Sequence, residues 1–348
     1  MKRLYLNSLE FVLIAIFLCT LSFSVVAEDQ QDILYITDFS GNTVERFDAN
    51  TGVPLGALVS AATGGLAGPN GIIVNGDDMT NEVWVANQNV GQPFNGDIRR
   101  YDQETGAFDG ALVPTNDPNG PLAPDGLVLF DHKTLFVADV GDFDGQTETP
   151  GNIGAFNAEN GDFLGNLIPT GYGPILHARG LVIGPDEKLY VSTRNLTSPL
   201  GGDVLRFDPE TFEFLGVFVS SATCNCDLNR PDGLVFGPDG RLYVTSFRAD
   251  PNDNDKILIF NGKTGEYIDK IDLDQVGQDR AFAQAILFGP GRKLYVPIAG
   301  FGPDTGSVRA YNVKNKTFKT FVPAGSTLKS PRYLSFGKTN PATLGYSD

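Results

Sequence analysis

The chain has 348 residues, with 42 Asp and Glu against 26 Lys and Arg and a formal net charge of −16. A surface this acidic repels nucleic acid and anionic membranes, so neither is expected as a partner. Three cysteines in such a length exclude a disulfide-stapled scaffold, so an apolar core must hold the fold.

The first element is a leader. Lys2 and Arg3 give a basic start, an apolar stretch runs from about Phe11 to Val26, and small residues stand at Val25 and Ala27. This predicts a secretory signal peptide over 1–27, cleaved after Ala27, and an exported protein, periplasmic or extracellular. The apolar run is too short and too lightly anchored for a membrane span. Cys19 follows Phe17 and Leu18, which do not suit a lipoprotein cleavage site. The leader carries Lys2, Arg3 and Glu10, net +1, so removing it takes the chain from −16 to −17. Cys224 and Cys226 are the cysteines that remain.

From there the chain repeats itself. The aromatic of an "LYV"-like strand falls at Tyr35, Trp84, Phe136, Tyr190, Tyr243 and Tyr295, at spacings of 49, 52, 54, 53 and 52. A second aromatic, in "RFD"-like segments, falls at Phe47, Tyr101, Phe156, Phe207, Phe260 and Tyr311. A "GLVF"-like strand starts at Gly71, Gly126, Gly180, Gly233, Ala285 and Tyr333. Periods of this size in β-type residues signal a propeller or another repeat array. The unit from Gly233 reads as four strands: apolar "GLVF", the tight turn "GPDGR", "LYVTS", then "KILIFN", the turn "GKTG" and the alternating "EYIDKID". An all-apolar first strand suits the buried centre, and an alternating last strand suits an outer edge.

The chain ends fit a closed ring. After the leader it begins at a second strand, "ILYIT", and it finishes on a lone first strand, "RYLSF" at 332–336. The expectation is an all-β, six-bladed propeller over 28–337, with four-stranded antiparallel blades and the C-terminal strand completing the first blade. A C-terminal tail over 338–348 is expected to be loose. "PDGLVFGPDGRLYV" together with "RFDPET" resembles the NHL-repeat and SMP-30/gluconolactonase-like six-bladed propellers across all six units. That resemblance implies the fold. It does not choose a function, because such propellers include hydrolases, lyases and pure binding modules.

A site is expected on one face. The loops between second and third strands are long in five units, at 87–97, 139–151, 193–202, 246–255 and 298–306, while the opposite turns are short. Elaborated loops on a rigid scaffold carry function. The residue before each "GLVF"-like strand should stand at the channel mouth: Asn70, Asp125, Arg179, Asp232, Gln284 and Arg332. All six are polar, and polar side chains aimed into a narrow channel cost free energy unless paired or solvated.

Two readings of that ring stay open. In one it is a salt-bridge network, with Arg179 between Asp125 and Asp232 and Arg332 between Asn70 and Gln284. In the other, Asn70, Asp125 and Asp232 supply oxygen ligands for Ca²⁺. The resemblance implies metal ligands at such strand starts. "PNG" at 69–71 and "PDG" at 124–126 match two of them, and Asp232 replaces the third only if the ring is read cyclically. His177, two residues before Arg179, is a candidate general base, while Arg179 and Arg332 are candidates to bind an acidic group. His132, in "FDHKT", reads as an exposed turn residue. Cys224 and Cys226 read first as a local disulfide, with a redox or soft-metal role as the alternative.

"DPNDND" at 250–255 and "DFDG" at 142–145 look like pieces of Ca²⁺ loops, but Asp255 and Asn261 stand where such a loop needs Gly and Glu. Asn195 and Asn315 begin glycosylation sequons, meaningful only in a eukaryotic secretory pathway. Two functions therefore compete for an expected monomer. One is a module binding a small molecule or a protein partner through the looped face. The other is a metal-assisted hydrolase or lyase acting on a lactone, an ester or another small carbonyl compound.

Overall fold

The computed structural model describes residues 32–75, 81–91, 95–142, 149–173, 176–195, 200–300, 302 and 304–347. The leader expected over 1–27 lies outside them, as do Phe143, Asp144 and Gly145 of the "DFDG" segment. Among the described residues, no helix is long and apolar enough to cross a membrane.

Among the described residues, twenty-four strands form six four-stranded antiparallel sheets, each a blade. The second blade is β4 (Pro69–Asn75), β5 (Glu82–Asn87), β6 (Asp97–Asp102) and β7 (Phe108–Val113). The third is β8 (Pro124–Phe130), β9 (Thr134–Asp142), β10 (Thr149–Asn157) and β11 (Phe163–Asn166). The fourth is β12 (Leu176–Ile183), β13 (Leu189–Asn195), β14 (Gly202–Phe207) and β15 (Phe214–Ser220). The fifth is β16 (Leu234–Phe236), β17 (Arg241–Ser246), β18 (Lys256–Asn261) and β19 (Tyr267–Asp272). The sixth is β20 (Leu287–Gly289), β21 (Lys293–Ile298), β22 (Ser307–Asn312) and β23 (Thr317–Val322).

In the first blade β1 (Ile33–Asp38), β2 (Thr43–Asp48) and β3 (Pro54–Val59) are joined by the C-terminal β24 (Pro331–Phe336), which pairs antiparallel with β1. The inner strands then touch in a closed circle, β24 to β4, β8, β12, β16, β20 and back to β24. Ring closure by the last strand is as the sequence predicts.

Each repeated residue has a mechanical task. The "LYV" aromatics are buried, and several bridge the seam to the next blade. Tyr190 packs edge-on against Phe236 at 4.9 Å, Tyr243 against Phe288 at 5.2 Å and Tyr295 against Phe336 at 5.0 Å. Burial of each large side chain stabilises by about 1.5–3 kcal/mol, repeated around the ring. The Asp or Asn after each "RF" aromatic closes the turn to the outer strand. Asp48 accepts from the N–H of Asn50 and Thr51, Asp102 from Glu104 and Thr105, and Asn261 from Lys263 and Thr264. These are Asx turns, which let a short side chain satisfy backbone donors.

The glycine before "LVF" sets the channel's width. A Cβ on Gly71 would stand 2.0 Å from the Asp125 carbonyl oxygen, and one on Gly126 would stand 2.6 Å from that of Arg179. At the four glycine positions the inner strand runs against its neighbour, so no side chain fits there, while Ala285 and Tyr333 take this place in the other two strands. The residue just before the glycine is thereby pinned at the channel edge.

The tail is not loose. Thr339 bridges to Tyr346, Asn340 caps the turn through Ala342 N–H and Thr343 N–H, and the Tyr346 hydroxyl donates to Asp32 at 2.8 Å. The carbonyls of Pro341 and Ala342 accept from Leu129 N–H and Ile183 N–H, in the inner strands of two blades. Leu344 packs against three of the core clusters. It closes a narrow apolar stretch of channel shared with Leu127, Leu181, Leu234, Ile286 and Leu334. It leaves room there for roughly one water. The tail is a plug, and the channel is blind.

Candidate functional site

At the opposite end the six predicted residues do share one rim, and the structure decides how they pair. Arg179, from the bulged start of β12, donates to Asp125 at 3.0 Å. Asp232 is taken instead by Arg194, at 2.5 Å, from the end of β13. Arg332, at the start of β24, donates to the Gln284 amide oxygen. The rim is therefore two ion pairs and one guanidinium bonded to a neutral amide. Arg179 bridging both aspartates, as the first reading had it, is corrected: Arg194 stands nearer to Asp232.

Aromatic rings hold the guanidinium groups. Arg332 lies over Phe39 at 4.5 Å and over Phe282 at 5.6 Å, and Arg194 lies over Phe247 at 5.1 Å. Phe247 and Phe282 are stacked at 5.0 Å with an interplanar angle of 2°. Arg280 covers both, at 5.4 and 5.1 Å, and is itself paired with Asp255 at 2.7 Å. Stacking fixes a guanidinium plane without using its N–H groups. The Nε atoms of Arg179, Arg194 and Arg332 are buried with no hydrogen-bond partner among the described residues.

Burial and mutual charge shape the ionisation here. Burial, then the neighbouring Asp125, pushes the Asp232 carboxyl up to about 6. Burial, then Arg179, pulls Arg194 down to about 10. Burial works against Arg179 as well, but Asp125 and Asp232 more than offset it and hold Arg179 above the ordinary arginine value. Arg332 is lowered, by burial first. Tyr333 stands beside the same carboxylates and is held well above the usual phenol range, chiefly by burial.

Arg194, Phe247 and Phe39 were absent from the sequence-derived set, yet a signal for them existed. Four residues after each "LYV" aromatic stand Phe39, Gln88, Val140, Arg194, Phe247 and Ala299. This is a second ring, interleaved with the first. Gln88 donates to the Pro124 carbonyl at 3.3 Å, and the Val140 carbonyl receives His177 Nδ1 at 2.6 Å. His177 is therefore turned to the seam between the third and fourth blades, 1 % exposed. The bulge between Ala178 and Leu181 breaks the simple alternation that would align it with Arg179. Its Nδ1 is held on a carbonyl within β9.

The remaining sequence candidates resolve simply. Cys224 and Cys226 are joined in a disulfide. The "DPNDND" carboxylates close turns and ion pairs: Asp250 accepts from Asn252 N–H at 2.7 Å, Asp253 from Lys256 at 2.6 Å and Asp255 from Arg280. Of the long loops, 246–255 is described throughout.

Whether the rim suits Ca²⁺ turns on charge. Asn70, Asp125 and Asp232 each keep a buried side-chain oxygen with no hydrogen-bond partner among the described residues, the kind of donor a hard cation takes. Their surroundings do not fit one. Three guanidinium groups against two carboxylates leave the rim at +1, and a divalent cation would raise it to +3. Among the described residues, no three His, Cys, Asp or Glu side chains gather around one point.

The class of molecule is thus a six-bladed propeller, blind at one end and cationic at the other. No protein-family model and no curated protein matches the sequence. Solved structures do share the fold. Virginiamycin B lyase from Staphylococcus aureus is similar at 16% identity, TM-score 0.51, over 86% of each chain. TolB from Acinetobacter baumannii is similar at 12% identity, TM-score 0.56, over 88% of this chain and 66% of that one. A luciferin-regenerating enzyme is similar at 15% identity, TM-score 0.54, over 84% and 90%. At these identities the likeness is one of fold, and it spans a lyase, a second enzyme and TolB.

Proposed function

We propose that this protein is an exported binding module that holds a small anionic ligand at the mouth of its propeller channel. One observation carries the reading: Arg332 faces the rim bonded to an amide rather than a carboxylate, so the rim keeps one uncompensated positive charge in a chain of net charge −16. An oxyanion there would meet guanidinium groups already oriented by Phe39, Phe247 and Phe282, and preorganised donors bind charge with little ordering cost. The partner-free Nε atoms supply donors that an oxyanion would satisfy. A metal-assisted hydrolase or lyase is the weaker reading, because its metal would sit among three arginines.

Thermal unfolding with sulfate, acetate and propionate at constant ionic strength tests the proposal. The expected result is stabilisation by these anions that is lost in Arg332→Met. Equal shifts in both proteins would overturn it.

A further inference from the structure

The rim carries acceptors as well as cations, and this narrows the ligand. Asn70 Oδ1, Asp125 Oδ1 and Asp232 Oδ1 are buried and lack hydrogen-bond partners among the described residues, and their residues are 3 %, 1 % and 0 % exposed. Buried acceptors left unmet are costly. A bare carboxylate would satisfy the arginine donors but bring its own negative oxygens toward these three. A ligand with hydroxyl groups beside its carboxylate meets both needs: the carboxylate takes the guanidinium N–H groups, and the hydroxyls donate to the Asn70, Asp125 and Asp232 oxygens. Tyr333, whose hydroxyl stands beside the Asp125 carboxylate, adds a group able to donate or accept.

Charge chooses among the molecules that carry both groups. The rim's balance is +1, so a single negative charge neutralises it. A zwitterionic amino acid brings no net charge to that balance, and a dicarboxylate reverses it. Arg179 and Arg194 are 15 % and 17 % exposed at the side chain, against 2 % for Asp125 and 0 % for Asp232. The cations therefore meet solvent first and the acceptors lie beneath them, which orients the ligand with hydroxyls inward.

We infer that the mouth takes a singly charged hydroxycarboxylate, recognised by Arg179, Arg194 and Arg332 through its carboxylate and by Asn70, Asp125 and Asp232 through its hydroxyls. This rests on the reading of the mouth as an anion site. The apolar channel below, floored by Leu344, gives the ligand no exit and limits it to the rim.

Calorimetric titration with lactate, glycerate, propionate and alanine separates the two claims. Lactate and propionate differ at one hydroxyl. Lactate is expected to bind about tenfold more tightly, the scale of one well-made hydrogen bond, with glycerate tighter still and alanine weakest. Asn70→Ala should shrink the lactate-to-propionate ratio. Equal binding of lactate and propionate would sink the hydroxyl assignment and leave the anion site standing. Alanine binding best would also sink it. Failure of all three anions to bind would overturn the anion site itself. The wild-type ratio needs no variant, so the test does not depend on how Asn70→Ala folds.

Discussion

The two ends of the channel are built from the same six inner strands and have opposite chemistry. At the mouth a polar residue stands at or near the start of each inner strand, from Asn70 round to Arg332, and neighbouring arginines stack on Phe39, Phe247 and Phe282. A few residues on, the same strands present Leu127, Leu181, Leu234, Ile286 and Leu334, and the tail seals them with Leu344. In four of the six strands a glycine between the two levels brings the backbones too close for a side chain. One end is a packed floor whose residues hold the ring together. The other keeps polar atoms in reserve, which stability alone does not require. Substitutions at the base should therefore change stability and spare binding, and those at the mouth should do the reverse.

The largest expected effect is at the base. Truncation after Gly337 should remove about 2–4 kcal/mol of stability, on the scale of large-to-small core changes, with Leu344→Ala costing a smaller part of it. Denaturant unfolding gives the loss, and anion titration of the surviving folded protein should give an unchanged affinity. A binding loss that matched the stability loss would erase the division between the ends. Next in size, Arg332→Met should weaken anion binding about 10–100-fold, the range for a charge-assisted hydrogen bond, and shift the melting temperature by only a few degrees. Calorimetry and thermal unfolding on the same preparation check both halves.

A smaller effect is expected from the disulfide. Cys224→Ser with Cys226→Ser opens a loop of a few residues, and short loops confer little chain entropy, so the cost should be about 1–2 kcal/mol. The loop that leads to Asp232 is also held by Ser246, which accepts from Asn229 N–H at 2.8 Å, so anion affinity should not change in a titration of the double variant.

The smallest effect is that of pH. Asp232 is raised to about 6, and Asp125, Arg179, Arg194, Arg332 and Tyr333 surround it. Protonation removes a negative charge from the rim, so anion affinity should rise a few-fold as pH falls through about 6. The stability sign is separate: a raised carboxyl binds its proton more readily folded than unfolded, so this group's contribution declines as pH rises from about 4 to 6. Titrations at pH 5 and 7 read the first, and pH-dependent unfolding reads the second.

The fold was legible because its physics repeats. Six buried aromatics, six turn-closing Asp or Asn residues and a close-packed glycine leave marks at one period, and the orphan strand at 332–336 announced ring closure. The rim was legible as six polar positions, and Gln284 was foreseen beside Arg332. The pairing of Asp232 was not, since Arg194 stands where a strand runs into a loop of variable length and no single unit shows its purpose. Only the superposed position four residues past each aromatic reveals it. The tail was misread for a different reason. "KTNPATLGY" has the Pro, Asn and Gly of a surface loop, and the burial of Leu344 comes from three distant clusters meeting on the channel axis. Nothing local encodes that.

The most direct test is a crystal structure grown with lactate and Ca²⁺ both present. The account predicts a carboxylate at about 2.7–3.1 Å from the guanidinium nitrogens of Arg332 and Arg179, its hydroxyl on Asn70 or Asp125, and no metal at the rim. A cation held at about 2.3–2.6 Å by the oxygens of Asn70, Asp125 and Asp232 would contradict it, as would a rim that holds only water.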